Sequence, residues 1–307
     1  MNAPIATGLS YGTHPIIANA ARAVSIALEK ANITQAESVL LFMTPEYSED
    51  AEAAVRLAGR TAGCLQVSGC IGYGILTNQD WILDSPGVAA MVFGNGAAIS
   101  PITTSAADAV ISFSTPHDFN PNWLHDTTPH IGAIASDPLG QGNYKHWQGS
   151  QIKTNSCVEL GITNVNAAFS VAQSFKTLTH PRIIDAADGL DVIRIENLPA
   201  LDLLLDSLPT TIQKNDLPLH MLLGGVTFGR PDNAIDEGRF HLDHIISTNP
   251  ESHSITLTSE LQPGERLFLA IRDTYAAELG MKQAIESATK KLGDSPDFGL
   301  LFPCLGR

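Results

Sequence analysis

Val39-Leu40-Leu41-Phe42-Met43 and, one helix length later, Leu65-Gln66-Val67-Ser68-Gly69-Cys70-Ile71-Gly72-Tyr73-Gly74 are the two stretches that decide the fold. The first is an unbroken apolar run of strand length, the pattern of a strand covered on both faces. The second is a strand that breaks into a glycine-rich turn. Between them Pro45 ends the first run, Ser48 is placed to cap a helix, and Ala51, Val55, Ala58 and Ala62 recur at helical spacing. Upstream, residues 4–12 read as a short strand ending in a turn. A helix from about Pro15 to Ala31 follows, with Ala20, Val24, Ala27, Leu28 and Ala31 on one side. Val88 to Phe93 is a further apolar run. This order of strands and helices predicts parallel neighbours joined by crossover helices.

Farther along, the pattern changes. Residues 115–150 are rich in Pro, Asn, His, Asp and Gly and read as a long loop region with one strand near Ile131–Ala135. Residues 182–197 and 238–271 alternate as antiparallel strands do, with Pro263-Gly264 as a turn and a short helix from Ala200 to Leu208. After Thr274 a second clear helix places Ala277, Met281, Ala284, Ile285 and Ala288 on one side, and Phe298–Cys304 reads as another buried strand. Leu300-Leu301-Phe302 repeats Leu40-Leu41-Phe42; at the same offset Leu269 falls on Leu9, Ala284 on Val24 and Ala288 on Leu28. That weak duplication predicts an α/β protein of two lobes, residues 1–180 and 181–307. Each lobe opens with a strand–helix–strand unit of parallel or mixed sheet, and the second half carries an antiparallel strand-rich insert.

Composition limits the partners. Of the 307 residues 44% are hydrophobic, enough for a sizeable core, and the formal net charge is −14 with no Lys/Arg cluster. Such a field repels a phosphate backbone, so nucleic acid is a poor partner. No apolar run approaches the roughly 18 to 20 residues a membrane helix requires, so membrane insertion is not expected. Met1-Asn2-Ala3-Pro4 has no basic region followed by an apolar one, and the four cysteines are too few for a disulfide framework. Together these features predict a cytoplasmic protein with reduced thiols.

Three stretches resemble the FIST family of F-box and intracellular signal-transduction proteins. They are Val39–Phe42 followed by a helix and Ser68-Gly69-Cys70-Ile71-Gly72-Tyr73-Gly74; then Asp188-Gly189-Leu190-Asp191-Val192-Ile193-Arg194-Ile195-Glu196-Asn197-Leu198-Pro199-Ala200; and finally Gly299-Leu300-Leu301-Phe302-Pro303-Cys304-Leu305-Gly306-Arg307. They cover nearly the whole chain in the family's order. The resemblance implies an N-terminal and a C-terminal FIST domain and a sensory role with a small ligand such as an amino acid. Ile75 departs from the acidic residue that many members carry there, and members usually continue beyond the Cys-x-Gly-Arg at which this chain stops.

Candidate site residues follow from position. Cys70 and Cys304 each end an apolar run and stand near glycines, where ligands meet open α/β sheets. Gly69, Gly72 and Gly74 around the first, and Gly306 after the second, would bring backbone N–H groups to a ligand; the alternative is that each cysteine is a small buried residue. Arg307 has the planar fork that clamps a carboxylate or phosphate. Gly224-Gly225, after His220-Met221-Leu222-Leu223, read as a strand end lining a cleft between lobes. His117-Asp118, His125-Asp126, His130 and His146 match no zinc spacing. No dinucleotide fingerprint, P-loop or nucleophile elbow is present, so no catalytic set, metal or cofactor is expected. The leading expectation is a sensor that binds an amino acid or small carboxylate in a cleft between lobes and passes its occupancy to a signalling protein. One alternative is an acyl-transfer or hydrolytic enzyme using Cys70 or Cys304 with a histidine of the 117–146 loop. The other is a ligand-free scaffold, which would show an exposed apolar patch or an open sheet edge.

Overall fold

The computed structural model describes residues 4–94, 99–101, 107–125, 128–135, 142, 144–163, 165–213, 216–230 and 232–304. The chain falls into two units, one made of the residues up to Ala168 together with the described ones from Thr289 onward, the other of Phe169–Ala288.

Unit 1 begins with β1 (Ile5–Tyr11), α1 (Ala18–Ala31), β2 (Ser38–Met43), α2 (Ala51–Ala62) and β3 (Val67–Cys70). Both helices are stopped by a residue in the left-handed conformation, Asn32 after α1 and Gly63 after α2, whose N–H groups return to the last turn. A hairpin, β4 (Gly74–Leu76) and β5 (Trp81–Leu83), leads into β6 (Gly87–Phe93). Then come β7 (Ile99–Pro101), β8 (Ala109–Ser114), β9 (His130–Ile134), β10 (His146–Gln148), β11 (Gln151–Lys153) and β12 (Val158–Ile162).

The main sheet has the order β1-β6-β2-β3-β10-β11. Only β2 and β3 are parallel neighbours; β6 slots between β1 and β2 and runs antiparallel to both. The crossover logic holds, because β1 and β2 do run the same way, but a later strand occupies the gap that α1 spans. Alternation sorts the two faces. Val39, Leu41, Met43, Val67, Ile71 and Trp147 join the small residues of α1 and α2 in one core. Cys70, His146 and Phe42 take the opposite face.

A second sheet, β7-β12-β8-β9, was not legible as such in the sequence. The 115–150 region also holds more than the one strand expected there, since it contributes both β9 and β10. Phe113 of β8 meets Phe42 edge-on at 5.5 Å, and the ring of Phe302 reaches both, at 6.4 Å and 6.2 Å. Phe298 stands edge-on to Phe93 at 5.5 Å. The closing stretch therefore corrects one expectation: residues 298–304 carry no strand, and Leu301 is 48% exposed. Its apolar residues are used as single rings set into gaps of unit 1, which needs no ladder of backbone hydrogen bonds.

Unit 2 contains β13 (Phe175–Thr177), β14 (Arg182–Asp188), β15 (Asp191–Ile195), β16 (Leu198–Pro199), α3 (Ala200–Ser207), β17 (Leu222–Thr227), β18 (Phe240–Asn249), β19 (Ser254–Leu257), β20 (Arg266–Arg272) and the helix α4 (Thr274–Leu292), which begins there. β20 pairs with β14 on one side and β17 on the other, and β14-β15-β19-β18-β17 are each antiparallel neighbours. The ring closes into a barrel without free edges. Ala200, Leu201, Leu203 and Leu204 of α3 are buried with Ile184, Ile195, Leu257 and Leu269 in its core. The turn from β15 to β16 is Glu196-Asn197 with both φ positive (45° and 66°), the two-residue hairpin geometry that matches strand twist.

Two glycines are required by close approach. Gly69 has φ 154°, and a Cβ there would sit 1.8 Å from the Leu41 carbonyl oxygen. At Gly225 a Cβ would sit 2.0 Å from the ring of Phe268, its cross-strand partner. Gly224 and Gly225 thus lie inside β17, and their expected place at a strand end is corrected: the missing side chain makes room for a ring. Gly69→Ala is expected to lower unfolding free energy by about 3 kcal/mol, while Gly299→Ala, with open space around it, stays within about 0.5 kcal/mol. Urea unfolding of the two variants beside the parent measures both.

Candidate ligand site

The glycine-rich turn of unit 1 is a packed place. Cys70 is 1% exposed on β3, and its burial pushes the thiol up from 9.0 to about 12. Gly72 donates its N–H to the Met43 carbonyl and is half-buried; Gly74 opens β4 opposite Leu83. Ile75 is buried under the hairpin, packed with Ile82 and Ala89. Next to the turn, the Lys145 ammonium donates to the Ser48 carbonyl. Tyr73 Oη donates to Asp84 Oδ1 at 2.5 Å, a contact that raises the phenol pKa. Cys304 is exposed. Gly306 and Arg307 lie outside the described residues, as do Asp126, Asn95, Gly96, Gly140 and Gln141. Gly224 and Gly225 belong to unit 2, whereas Cys70 and the turn belong to unit 1.

The enzyme alternative asked for a depressed thiol pKa with a histidine in reach. His146 does stand directly across from Cys70 in the β3–β10 pair. Its Nε2 faces the Ser156 carbonyl, which can only accept, so Nε2 carries a proton there. Its Nδ1 is buried without a partner, and no hydrogen bond joins it to Cys70. A thiol that ionises only near 12 supplies no thiolate at neutral pH. Among the described residues no group of three or more His, Cys, Asp or Glu side chains is placed to hold a metal ion.

Another polar cluster lies on the second sheet. Ser112 Oγ and His130 Nδ1 are 2.9 Å apart. Trp123 stacks on the His130 ring at 5.5 Å and donates its indole N–H to Glu159 at 2.6 Å. Every member is half-buried or buried and engaged with its neighbours, so the cluster braces β8, β9 and β12. Cys157, two residues before Glu159, has a raised thiol pKa, first through burial and then through the Glu159 carboxylate.

The open chemistry is in unit 2. A cavity of about 540 Å³, within the range of small-molecule sites, is bounded by residues 177–182, Ser207 at the end of α3, and residues 233–236. The first wall is pinned to β20: Leu178 and Thr179 both donate N–H groups to the Leu269 carbonyl, and Leu269 N–H returns to Thr179 Oγ1. The third wall is a loop knotted by one side chain. Arg239 donates Nη1 to the Phe228 and Arg230 carbonyls, Nη2 to the Asp232 carbonyl at 3.0 Å, and Nε to Glu237 at 2.6 Å. That knot presents Asn233, Ala234 and Asp236 to the cavity.

Arg182 supplies the positive charge. Its Nη1 is paired with Glu196 Oε2 at 3.0 Å, while its Nε is buried with no partner. Asp236 supplies the negative charge from a different segment, and Thr177, His180 and Ser207 add further polar groups to the lining. None of these residues was singled out in the sequence. They come from three stretches with no shared motif, and only the Pro-flanked run His180-Pro181-Arg182 could have drawn attention, as a strand entry carrying a cation.

Comparison with known proteins places the chain. The FIST N domain matches residues 37–197 and the FIST C domain residues 200–307. An uncharacterized protein of Mycobacterium tuberculosis is 23% identical over 329 residues, covering 98% of this chain and 85% of the relative. An uncharacterized protein of Mycobacterium bovis is 23% identical over 264 residues, covering 78% of this chain and 68% of the relative.

The thiol geometry yields an expected outcome. In a timed alkylation of the native protein read by mass spectrometry, Cys304 reacts first and Cys70 only after denaturant is added. Because the folded-state pKa of Cys70 is raised, its contribution to stability is intact below pH 9 and is lost as pH rises toward 12. The parent should therefore lose up to about 1.4 kcal/mol per pH unit more than Cys70→Ala across that window, measured by urea unfolding.

Proposed function

The chain belongs to the FIST family, whose domains are associated with sensory roles in signal transduction, and from that premise we propose that it binds a small carboxylate or amino acid in the unit 2 cavity and reports occupancy to a partner protein. The observation that carries the reading is the charge arrangement of that cavity. Arg182 offers a guanidinium to a carboxylate, and Asp236 offers a carboxylate to an ammonium group. Hydroxyls of Thr177 and Ser207 supply the short-range polar contacts that fix orientation. A ligand with both charges satisfies both residues; a simple carboxylate satisfies one.

The loop held by Arg239 gives the site a means of output. Its backbone is tied by turn hydrogen bonds and by the Arg239 side chain, and not by a continuous sheet ladder. A ligand bridging Arg182 and Asp236 shifts that loop toward its ordered form by its differential affinity for the two states. An exposed surface that changes its order is something a second polypeptide can read.

A thermal-shift screen against amino acids and small mono- and dicarboxylates tests this. A ligand at about 100 times its Kd adds roughly 2.7 kcal/mol of stability. Arg182→Gln should abolish the shift for every ligand, whereas Asp236→Asn should weaken amino acids at least tenfold and leave simple carboxylates unchanged. A shift that survives both substitutions would sink the cavity as the site.

A further inference from the structure

The hairpin β4–β5 carries more apolar surface than its own packing uses. Three-residue strands do not hold a hairpin by themselves in water. Ile75 and Ile82 anchor this one, packed over Leu9, Phe42 and Ala89 of the main sheet. Its tip is tied by Lys30, whose ammonium donates to Gln79 at 2.6 Å and to the Thr7 carbonyl at 3.2 Å. Its base is tied by the Tyr73–Asp84 hydrogen bond. The inner face and both ends are thus accounted for.

The outer face is not. Leu76 stands across from Trp81, and the three outward residues Leu76, Trp81 and Leu83 are 41%, 64% and 42% exposed. Tryptophan is enriched in binding hot spots, and here it sits on an element braced from behind. Within the described residues β4 and β5 pair only with each other, so each also keeps an open backbone edge.

The rim selects the occupant. Asp80 at the tip and Asp84 at the base are exposed, and Glu46 is near enough to raise the Tyr73 pKa. Lys30, the basic group at the tip, is already committed to Gln79 and Thr7. An apolar centre ringed by carboxylates, on a chain of net charge −14, repels an anionic lipid surface and disfavours a second copy of the same acidic patch.

We propose that the outer face of hairpin β4–β5 docks a basic amphipathic strand of a partner protein. Its apolar residues, alternating with Lys or Arg, cover Leu76, Trp81 and Leu83, and its backbone adds to the open hairpin edge. This docking is independent of the unit 2 cavity and stands whether or not that cavity takes a ligand.

The probe is a twelve-residue peptide alternating valine and lysine, with a valine–glutamate peptide and a scrambled valine–lysine peptide as controls. The protein has three tryptophans, so three indole N–H signals report binding by NMR, and Trp81→Ser assigns one of them. The expected result is that the Trp81 signal moves with the alternating basic peptide. Its affinity should exceed that of either control by at least tenfold. It should fall at least tenfold in the Leu76→Ser, Trp81→Ser, Leu83→Ser triple variant, whose melting temperature stays within a few degrees of the parent. Equal binding of the acidic or scrambled peptide, or undiminished binding by the triple variant, would overturn the proposal. So would self-association, or adsorption to phosphatidylserine vesicles, that the triple variant abolishes; the first would assign the face to a second copy and the other to lipid.

Discussion

Unit 1 depends on the contact between the backbone of Gly69 and the carbonyl oxygen of Leu41. With no Cβ at position 69, β3 can close against β2 and leave its other edge for β10. Trp147 then lies over the glycine, its indole nitrogen 3.2 Å from where a Cβ would be, and joins the helix-side core as a fully buried ring. Because strands alternate, seating Trp147 on that face forces its neighbour His146 and the cross-strand Cys70 onto the other. The neutral thiol and the unpartnered imidazole nitrogen follow from this single placement. They are consequences of where a large ring had to go, which is why chemistry-bearing residue types there do not amount to a reactive centre.

What could be read from the residues, and what could not, divides along the range of the interactions. The apolar run at 39–43, the alanine spacing of the two flanking helices and the turn after Cys70 are local signals, and each appears as β2, α1, α2 and β3. The antiparallel alternation of 182–197 and 238–271 likewise survives as barrel strands. The insertion of β6 between β1 and β2 is a pairing between segments far apart in the chain, and no local pattern encodes it. Phe298–Cys304 has the composition of a buried strand, yet only its rings are set against unit 1, through three aromatic contacts, and no ladder forms. Gly224-Gly225 looked like a strand end because glycine usually weakens a strand, but the ring of Phe268 fills the space above it. The cavity was illegible for the same reason: Arg182, Ser207 and Asp236 acquire a common purpose only when the barrel closes.

Barrel closure also settles where unit 2 can be soft. A closed ring leaves no edge to fray, and α3 fills its core with leucines, so the strands are held by hydrogen bonds and burial at once. Freedom remains in the connections. The loop between β17 and β18 is one such connection, held by turn hydrogen bonds such as Arg239 N–H to the Ala234 carbonyl and by the Arg239 guanidinium on further carbonyls. Such a knot is cooperative: losing one of those hydrogen bonds loosens the geometry of the others.

Two of the three buried, unpartnered nitrogens among the described residues make the contrast between the units concrete, Trp147 Nε1 being the third. His146 Nδ1 in unit 1 and Arg182 Nε in unit 2 are both buried without a partner, and each costs about 1–3 kcal/mol of desolvation. The first belongs to a fully buried residue of β10 paired with β3, opposite in direction to Trp147. The second belongs to a residue that lines an open cavity and already has one arm on Glu196, itself held in a left-handed turn. The unpartnered nitrogens of unit 1 thus sit within packed strands, whereas that of unit 2 belongs to a cation at a cavity wall.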